Sequence, residues 1–413
     1  MTAIALLDVE NDPHLVADTL LSAAGPDPAT EKTLWLPALG CVSSEWEAPS
    51  GPFHLCRLAR KTFVLPNNGG IVAFAGDCAT AFALWAQLSE MIKRNAGFDS
   101  GYRFDASALQ SALTTLGARK DDISVLGMLV DAQGTRTPFL HGAHQEVTTR
   151  YFGTCFVAGS GATMVARMIH AADRDPARGN WPLAAPLTPC EDLAEGLSTE
   201  MLYRESSQGN GASPNTPIAL GCGGFYEWYK VETDGVRYLQ PRLDLHVCAD
   251  RRGLTFVRIY LAELHEGAAI VDLGVPSQHY TLMVTNLILD SLRLDHERAI
   301  TQGYALRLPK SWVTSIESAF MDYDRSPELR RQRMDGPLDA DQLQHLFAQP
   351  LDLRRIRLLL HIEGEDDVIA DRLLRRGGAP LAKLRVDDGT LVLDLDAEVT
   401  DKIARRVQHL WRD

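Results

Sequence analysis

Thr2 is the residue on which a reaction could be built. Removal of an initiator methionine requires a small second residue, so loss of Met1 would leave Thr2 with a hydroxyl and a free α-amine. Such an amine has an unperturbed pKa of about 8, close enough to neutrality to take the hydroxyl proton over a short path. Threonine with its own amine is one of the recognised activated nucleophiles. A cation nearby would push the amine toward its neutral, basic form.

Four further strings carry candidate partners. Asp18 stands sixteen positions after Thr2, in Val16-Ala17-Asp18. A basic pair opens Arg60-Lys61-Thr62-Phe63, and Phe74-Ala75-Gly76-Asp77-Cys78 leads into a stretch rich in alanine and phenylalanine. Ala158-Gly159-Ser160-Gly161-Ala162 makes a small-residue junction.

With these residues in this order, the chain resembles the proteasome β subunits and the bacterial HslV peptidase. It is still more similar to the short proteasome-like proteins of bacterial and phage genomes, over roughly residues 2–175. The resemblance implies that Thr2 is the nucleophile, that Lys61 is the cation beside it, and that Asp18 holds the ammonium by a charge-assisted hydrogen bond. It implies that the Gly76 N–H faces the developing oxyanion, where a glycine lets substrate approach the main chain, and that the Ser160 hydroxyl bonds the Thr2 amine. The implied activity is amide-bond hydrolysis of peptides or proteins by an N-terminal-nucleophile (Ntn) hydrolase. No cofactor and no metal are called for. A homo-oligomer such as a ring, with an ATP-dependent unfoldase as a further partner, goes with the family.

Two features depart from that pattern. Residues 25–52 form an insertion between Asp18 and Lys61, so substrate-pocket residues there carry no assignment. The family's Asp-x-x-Ser-Gly-Gly stretch is matched by Ala219-Leu220-Gly221-Cys222-Gly223-Gly224, which lacks the acid and the serine. HslV-type members also do without that pair. Two alternatives stand beside the peptidase reading: a small-molecule amidase, and a catalytically silent assembly or ligand-sensing scaffold in which Met1 is retained. His141, His144 and Glu146 offer no third or fourth ligand at a zinc spacing. The aromatics Phe225, Tyr226, Trp228 and Tyr229 read as strand residues packed in a core.

The elements that must position these residues follow from periodicity. Apolar runs at residues 2–7 and 15–21 predict an antiparallel hairpin, and those at 62–65 and 71–75 predict a second one across Asn67-Asn68-Gly69-Gly70. Helices are predicted over 80–94, 106–116 and 191–205, with another opening after Gly161, and strands over 123–130, near Phe139, and over 154–158, 218–230 and 236–248. Strands and helices fall in blocks rather than in strict alternation, which predicts an α+β fold, a four-layer αββα sandwich of two sheets between helix layers. The 25–52 stretch, dense in proline and glycine, reads as a surface loop, and residues 206–217 as a linker. Residues 251–413 read as a second, α+β region of unassigned role, with strands at 254–261, 268–273 and 356–362, helices near 282–292, through to 347, and at 366–376, a hairpin at Gly389 and a terminal helix from Ala397.

The 413 residues exceed what one core usually organises, in keeping with a boundary near 250. A net charge of −13, with the basic residues scattered, argues against nucleic acid as a partner. No apolar run approaches a membrane span, and seven cysteines without a C-x-x-C pair suit a reducing compartment, so a cytoplasmic protein with no membrane partner is expected.

Overall fold

In the computed structural model, residues 2–30, 32–36, 40–48, 51–96, 98–99, 101–174, 189–207, 217–238, 242–266, 280–295, 304–308, 312–316, 339–364, 369–375 and 377–411 are described. Their contacts divide into two units, residues 1–239 with 265–282 and 316–333, and residues 240–264 with 283–315 and 334–413. The expected boundary near 250 falls at the tip of a hairpin, between Arg242–Asp250 and Gly253–Glu266. Antiparallel pairing across that tip keeps both strands in one sheet, so the break comes before the hairpin.

The first unit begins with β1 (Ile4–Leu7) and β2 (His14–Asp18), paired antiparallel with Ile4 opposite Ala17. The turn between them holds Asp8 at φ 43°, where its own carboxylate accepts the amides of Asn11 (3.3 Å) and Asp12 (3.2 Å). Short polar side chains tolerate this left-handed region because they bond locally. Four more strands complete a six-stranded antiparallel sheet: β12 (Gln145–Thr148), β13 (Thr154–Ala158), β14 (Tyr226–Glu232) and β15 (Gly235–Tyr238), in the order β12-β13-β1-β2-β14-β15. Thus β1 and β2 lie at its centre. A second antiparallel sheet takes the order β11-β10-β9-β8, from β8 (Thr62–Val64), β9 (Gly70–Gly76), β10 (Ile123–Val130) and β11 (Arg136–His141).

Period-two alternation decides what each strand face meets. Ile71, Ala73 and Ala75 of β9 join Ile4, Leu6, Leu15 and Ala17 in one core cluster, whereas Val72 and Phe74 pack with residues of α1 (Cys78–Ala96) and α2 (Ala106–Thr115). Asp105 caps α2 by accepting the Ala108 amide at 2.7 Å. Two further helices, α3 (Ala162–Arg174) and α4 (Pro189–Ser207), contact strands of the six-stranded sheet. Each predicted element of residues 2–24 and 62–174 is present within a few residues.

The 25–52 stretch is not a loop. It contains β4 (Thr33–Leu36), β5 (Gly40–Ser43), β6 (Glu45–Ala48) and the start of β7 (Gly51–Leu58); β4 pairs with β5, while β6 and β3 (Leu20–Ala24) flank β7. Of its described prolines, Pro26 and Pro28 lie between β3 and β4 and Pro52 stands second in β7, and proline is tolerated outside strands and at their first residues. Leu34, Leu36 and Val42 are buried. Most of the expected 206–217 linker lies outside the described residues.

In the second unit one sheet runs β20-β18-β17-β16-β22-β23 and another β19-β25-β24-β21. Here β16 is Arg242–Asp250, β17 Gly253–Glu266, β18 Tyr280–Asp295, β19 Tyr304–Leu308 and β20 Trp312–Ile316. The remaining strands are β21 (Leu351–Leu353), β22 (Arg355–Ile362), β23 (Ile369–Leu374), β24 (Ala382–Asp387) and β25 (Thr390–Leu395). One core joins both sheets with the helices Ala340–Leu346 and Ala397–Val407. The predicted helices at 282–292 and 366–376 are instead strands, as are parts of the helical stretch expected up to 347. Short apolar runs fit either period, and strand pairing decided the outcome. The strand expected at 268–273 lies outside the described residues. The fold as a whole is mixed α+β, dominated by antiparallel sheets. Among the described residues no helix is long and apolar enough to cross a membrane.

Candidate active site

Thr2 lies two residues before β1, a central strand of the six-stranded sheet, and is 3% exposed. Its nitrogen donates to Ser160 Oγ at 3.0 Å, and its carbonyl accepts the Gly161 amide at 3.0 Å. Ser160 Oγ lies 2.6 Å from the Leu220 carbonyl, so the single hydroxyl proton goes there and a lone pair faces Thr2. The junction is reached because β13 ends at Ala158, opposite Ile4. Gly159 then turns at φ 92°, where a β-carbon would overlap the Thr2 carbonyl. Only glycine fits such an approach.

Asp18 closes β2 and is fully buried. Its Oδ1 accepts the Ala3 amide at 2.9 Å and the Lys61 ammonium at 2.8 Å, and its Oδ2 accepts the Gly223 amide at 3.0 Å. Lys61 also donates to the Leu20 carbonyl at 2.6 Å. A buried ion pair is tenable only when further hydrogen bonds satisfy both members, as they do here. One carboxylate thus ties the ammonium to the residue that follows Thr2.

Thr2, Asp18, Lys61 and Ser160 are therefore brought together from the start of β1, the end of β2, the approach to β8 and the β13–α3 junction. Gly76 is the exposed last residue of β9, two positions beyond Phe74, whose amide donates to the Lys61 carbonyl at 3.0 Å. At φ 106° a β-carbon there would overlap the Asp122 carbonyl, so the close β9–β10 pairing itself calls for glycine. Cys78, at the start of α1, is half-buried. Burial pushes its thiol up, and the Lys61 and Arg57 cations offset part of that push.

Sequence reasoning placed a strand from residue 218, and the structure replaces its first part with a turn. A 3₁₀ turn at Ile218–Leu220 leads into Gly221, Gly223 and Gly224 at φ 66°, 144° and 84°, and β14 begins only at Tyr226. This turn supplies the Leu220 carbonyl to Ser160 and the Gly223 amide to Asp18. Three glycines in four residues were the available signal. The aromatics that follow, Phe225, Tyr226, Trp228 and Tyr229, are buried as core.

A second buried pair adjoins the first. Arg60 Nε meets Glu227 Oε1 at 2.7 Å, and Arg60 Nη2 donates to the Tyr229 hydroxyl at 2.6 Å. His141 and His144 ring nitrogens lie 2.9 Å from the Lys120 and Gly142 carbonyls respectively. Among the described residues no three His, Cys, Asp or Glu side chains are grouped to hold a metal. A scan against protein-family models finds no match for the chain, and a search of curated proteins finds none that matches.

Proposed function

We propose that the chain is a threonine peptidase or amidase of the Ntn-hydrolase class, similar to the proteasome-like proteins, acting through Thr2 once Met1 is removed. The observation that carries this reading is the Asp18 carboxylate, which bridges the Lys61 ammonium (2.8 Å) and the Ala3 amide (2.9 Å) while Ser160 Oγ stands 3.0 Å from the Thr2 nitrogen. On this reading the two main sheets of the first unit, with α1 and α2 on one and α3 and α4 on the other, are the four layers of an αββα sandwich.

Release of Met1 turns the Thr2 nitrogen from an amide into an amine. That amine takes the hydroxyl proton as Oγ adds to the scissile carbonyl carbon. It returns the proton to the departing amine, leaving an ester on Thr2. Water then adds to the ester, and Oγ leaves with a proton. Lys61 keeps positive charge beside the amine and so favours its neutral form. The Gly76 N–H is the proposed oxyanion donor. Peptides or proteins are the proposed substrates, a homo-oligomer in the cytoplasm the working form, and an ATP-dependent unfoldase a further partner.

The 3% exposure of Thr2 supports a second reading, a silent scaffold that keeps Met1. Intact-mass measurement after treatment with a peptide epoxyketone separates the two. The hydrolase reading expects a chain lacking Met1 that gains one inhibitor mass, with no gain in Thr2→Ala. Retained Met1 with no adduct supports the scaffold.

A further inference from the structure

We propose that Glu205 is a positioning residue for this site, acting through the Gly221–Gly224 turn; the inference rests on the hydrolase reading. Glu205 lies in the last turn of α4 and is 2% exposed. A carboxylate there faces the negative end of the helix dipole and is removed from water, so the position is costly without compensating donors. The Gly224 amide supplies one, pointing between both oxygens at 3.1 and 3.3 Å. A β-carbon at Gly223 would stand 2.7 Å from Glu205 Oε2, which shows how closely the carboxylate presses on the turn.

Two consecutive amides of this turn therefore serve two buried carboxylates, Gly223 for Asp18 at 3.0 Å and Gly224 for Glu205 at 3.1 Å. Only glycine φ values of 144° and 84° allow that divergence. The stretch Ala219-Leu220-Gly221-Cys222-Gly223-Gly224 has no acid of its own, and α4 provides one from outside it. Burial pushes the Tyr226 hydroxyl and the Cys222 thiol up, and the charges of both Glu205 and Asp18 add to it, as expected of two carboxylates on one short segment.

The turn also reaches the other three site residues. The Gly223 carbonyl accepts the Thr19 and Leu20 amides at 3.2 and 3.0 Å, and the Leu20 carbonyl in turn accepts Lys61. The Leu220 carbonyl accepts Ser160, whose Oγ meets the Thr2 nitrogen. Releasing Gly224 from Glu205 lets this backbone relax. Asp18, Lys61 and Ser160 then lose register with Thr2 together, without any of them being changed.

The test measures the rate of peptide epoxyketone labelling against reagent concentration, followed by intact mass, in wild type, Thr2→Ala, Glu205→Ala and Glu205→Gln. Glu205→Ala is expected to slow labelling at saturating reagent by about 10- to 100-fold, the scale of a small misplacement of reacting groups. Half-saturation should change little. Glu205→Gln, whose amide oxygen still accepts from Gly224, should restore most of the rate. If Glu205→Ala does not fold, Glu205→Asp takes its place, with the carboxylate withdrawn by one methylene and the same slowing expected at unchanged half-saturation. Wild-type rate in the Ala or Asp variant, or no recovery of rate in Glu205→Gln, with Thr2→Ala unlabelled, overturns the inference and leaves the hydrolase reading standing. An unlabelled wild type removes both.

Discussion

Arg60 and Lys61 are neighbours in sequence, both are buried cations, and each meets a buried carboxylate, yet the two pairs are completed in opposite ways. Around Arg60 the partners are side chains. Glu227 takes the guanidinium at 2.7 Å, the Thr62 hydroxyl at 2.9 Å and the Tyr229 hydroxyl at 2.7 Å, while Arg60 itself donates to Tyr229 and Thr62. The Tyr229 and Thr62 hydroxyls, which each receive a proton from Arg60, each pass one to Glu227. Around Lys61 the partners beyond Asp18 are main-chain groups: the Leu20 carbonyl on the ammonium, and the Ala3 and Gly223 amides on the carboxylate. The first pair is linked through side chains that join β14 to the approach of β8. The second is tied to the backbone at Leu20, Ala3 and Gly223, so its position follows wherever the start of β1 and the glycine turn are held. One serves the fold and the other can serve a reaction.

The largest effect expected from this contrast is on reactivity. Lys61→Ala should lower epoxyketone labelling of Thr2 by roughly a thousandfold or more, the scale of losing a member of a catalytic unit. Arg60→Ala should label at a rate close to wild type wherever it remains folded. Comparable losses in the two variants, at equal folded fraction by circular dichroism, would erase the distinction.

Stability should sort the pairs the other way. Arg60→Ala leaves Glu227 buried and unmatched and is expected to cost about 3–5 kcal/mol in urea unfolding. Combining Arg60→Met with Glu227→Leu should recover much of that, since the desolvation cost of the pair disappears with its attraction. The Tyr229 and Thr62 hydroxyls, 3.4 Å apart, then lose their bonds to both residues, which caps the recovery. A double variant no more stable than the single one would mean that the hydroxyls, rather than the charges, dominate.

Ser160→Ala should have a smaller effect. It removes the acceptor that stands 3.0 Å from the Thr2 nitrogen while Asp18 and Lys61 stay in place. A loss of about 10- to 100-fold in labelling is expected, from orientation alone. A loss as large as that of Lys61→Ala would assign Ser160 a proton-transfer role instead.

The two pairs also differ in how far a linear reading reaches them. The strands β1, β2, β9, β10 and β13 are short, nearly continuous apolar runs that end at glycines or polar turns, so the elements that carry Thr2, Asp18 and Ser160 were legible from side-chain types. Lys61 was legible as the second member of a basic pair just before another apolar run. Glu227 was not, because an acid inside Tyr226–Glu232 looks like a solvent-facing strand residue until Arg60 is seen across from it. The glycine turn was hidden for a different reason: it acts through carbonyl and amide directions, which side-chain identity does not encode. Residues 25–52 were misread because prolines at strand edges look the same as prolines in a loop. In β18 the apolar run suits either period, and only its partner strands decide.

His14, four residues before Asp18 on β2, sharpens the contrast with a third buried group, one held neutral. Tryptophan can only donate, so the Trp228 Nε1–H that stands 2.9 Å from His14 Nδ1 makes that nitrogen an acceptor. The proton therefore sits on Nε2, which faces Asp12 Oδ2 at 3.3 Å. Adding a second proton would set two N–H groups against each other inside the sheet. Burial lowers the pKa below its usual value, with Lys230 acting in the same direction, and the bond and charge of Asp12 and the charge of Glu191 only partly oppose this. The folded imidazole thus takes up its proton at lower pH than the unfolded one. The associated stability is complete above the unfolded pKa of about 6.5 and declines as pH falls through that value toward the folded pKa, by at most about 1.4 kcal/mol per pH unit for one group. Urea unfolding of wild type and His14→Gln between pH 5 and pH 8 tests this. The wild-type curve should fall more steeply toward acid than the variant's, and equal slopes would mean that His14 already carries its charge in the folded chain.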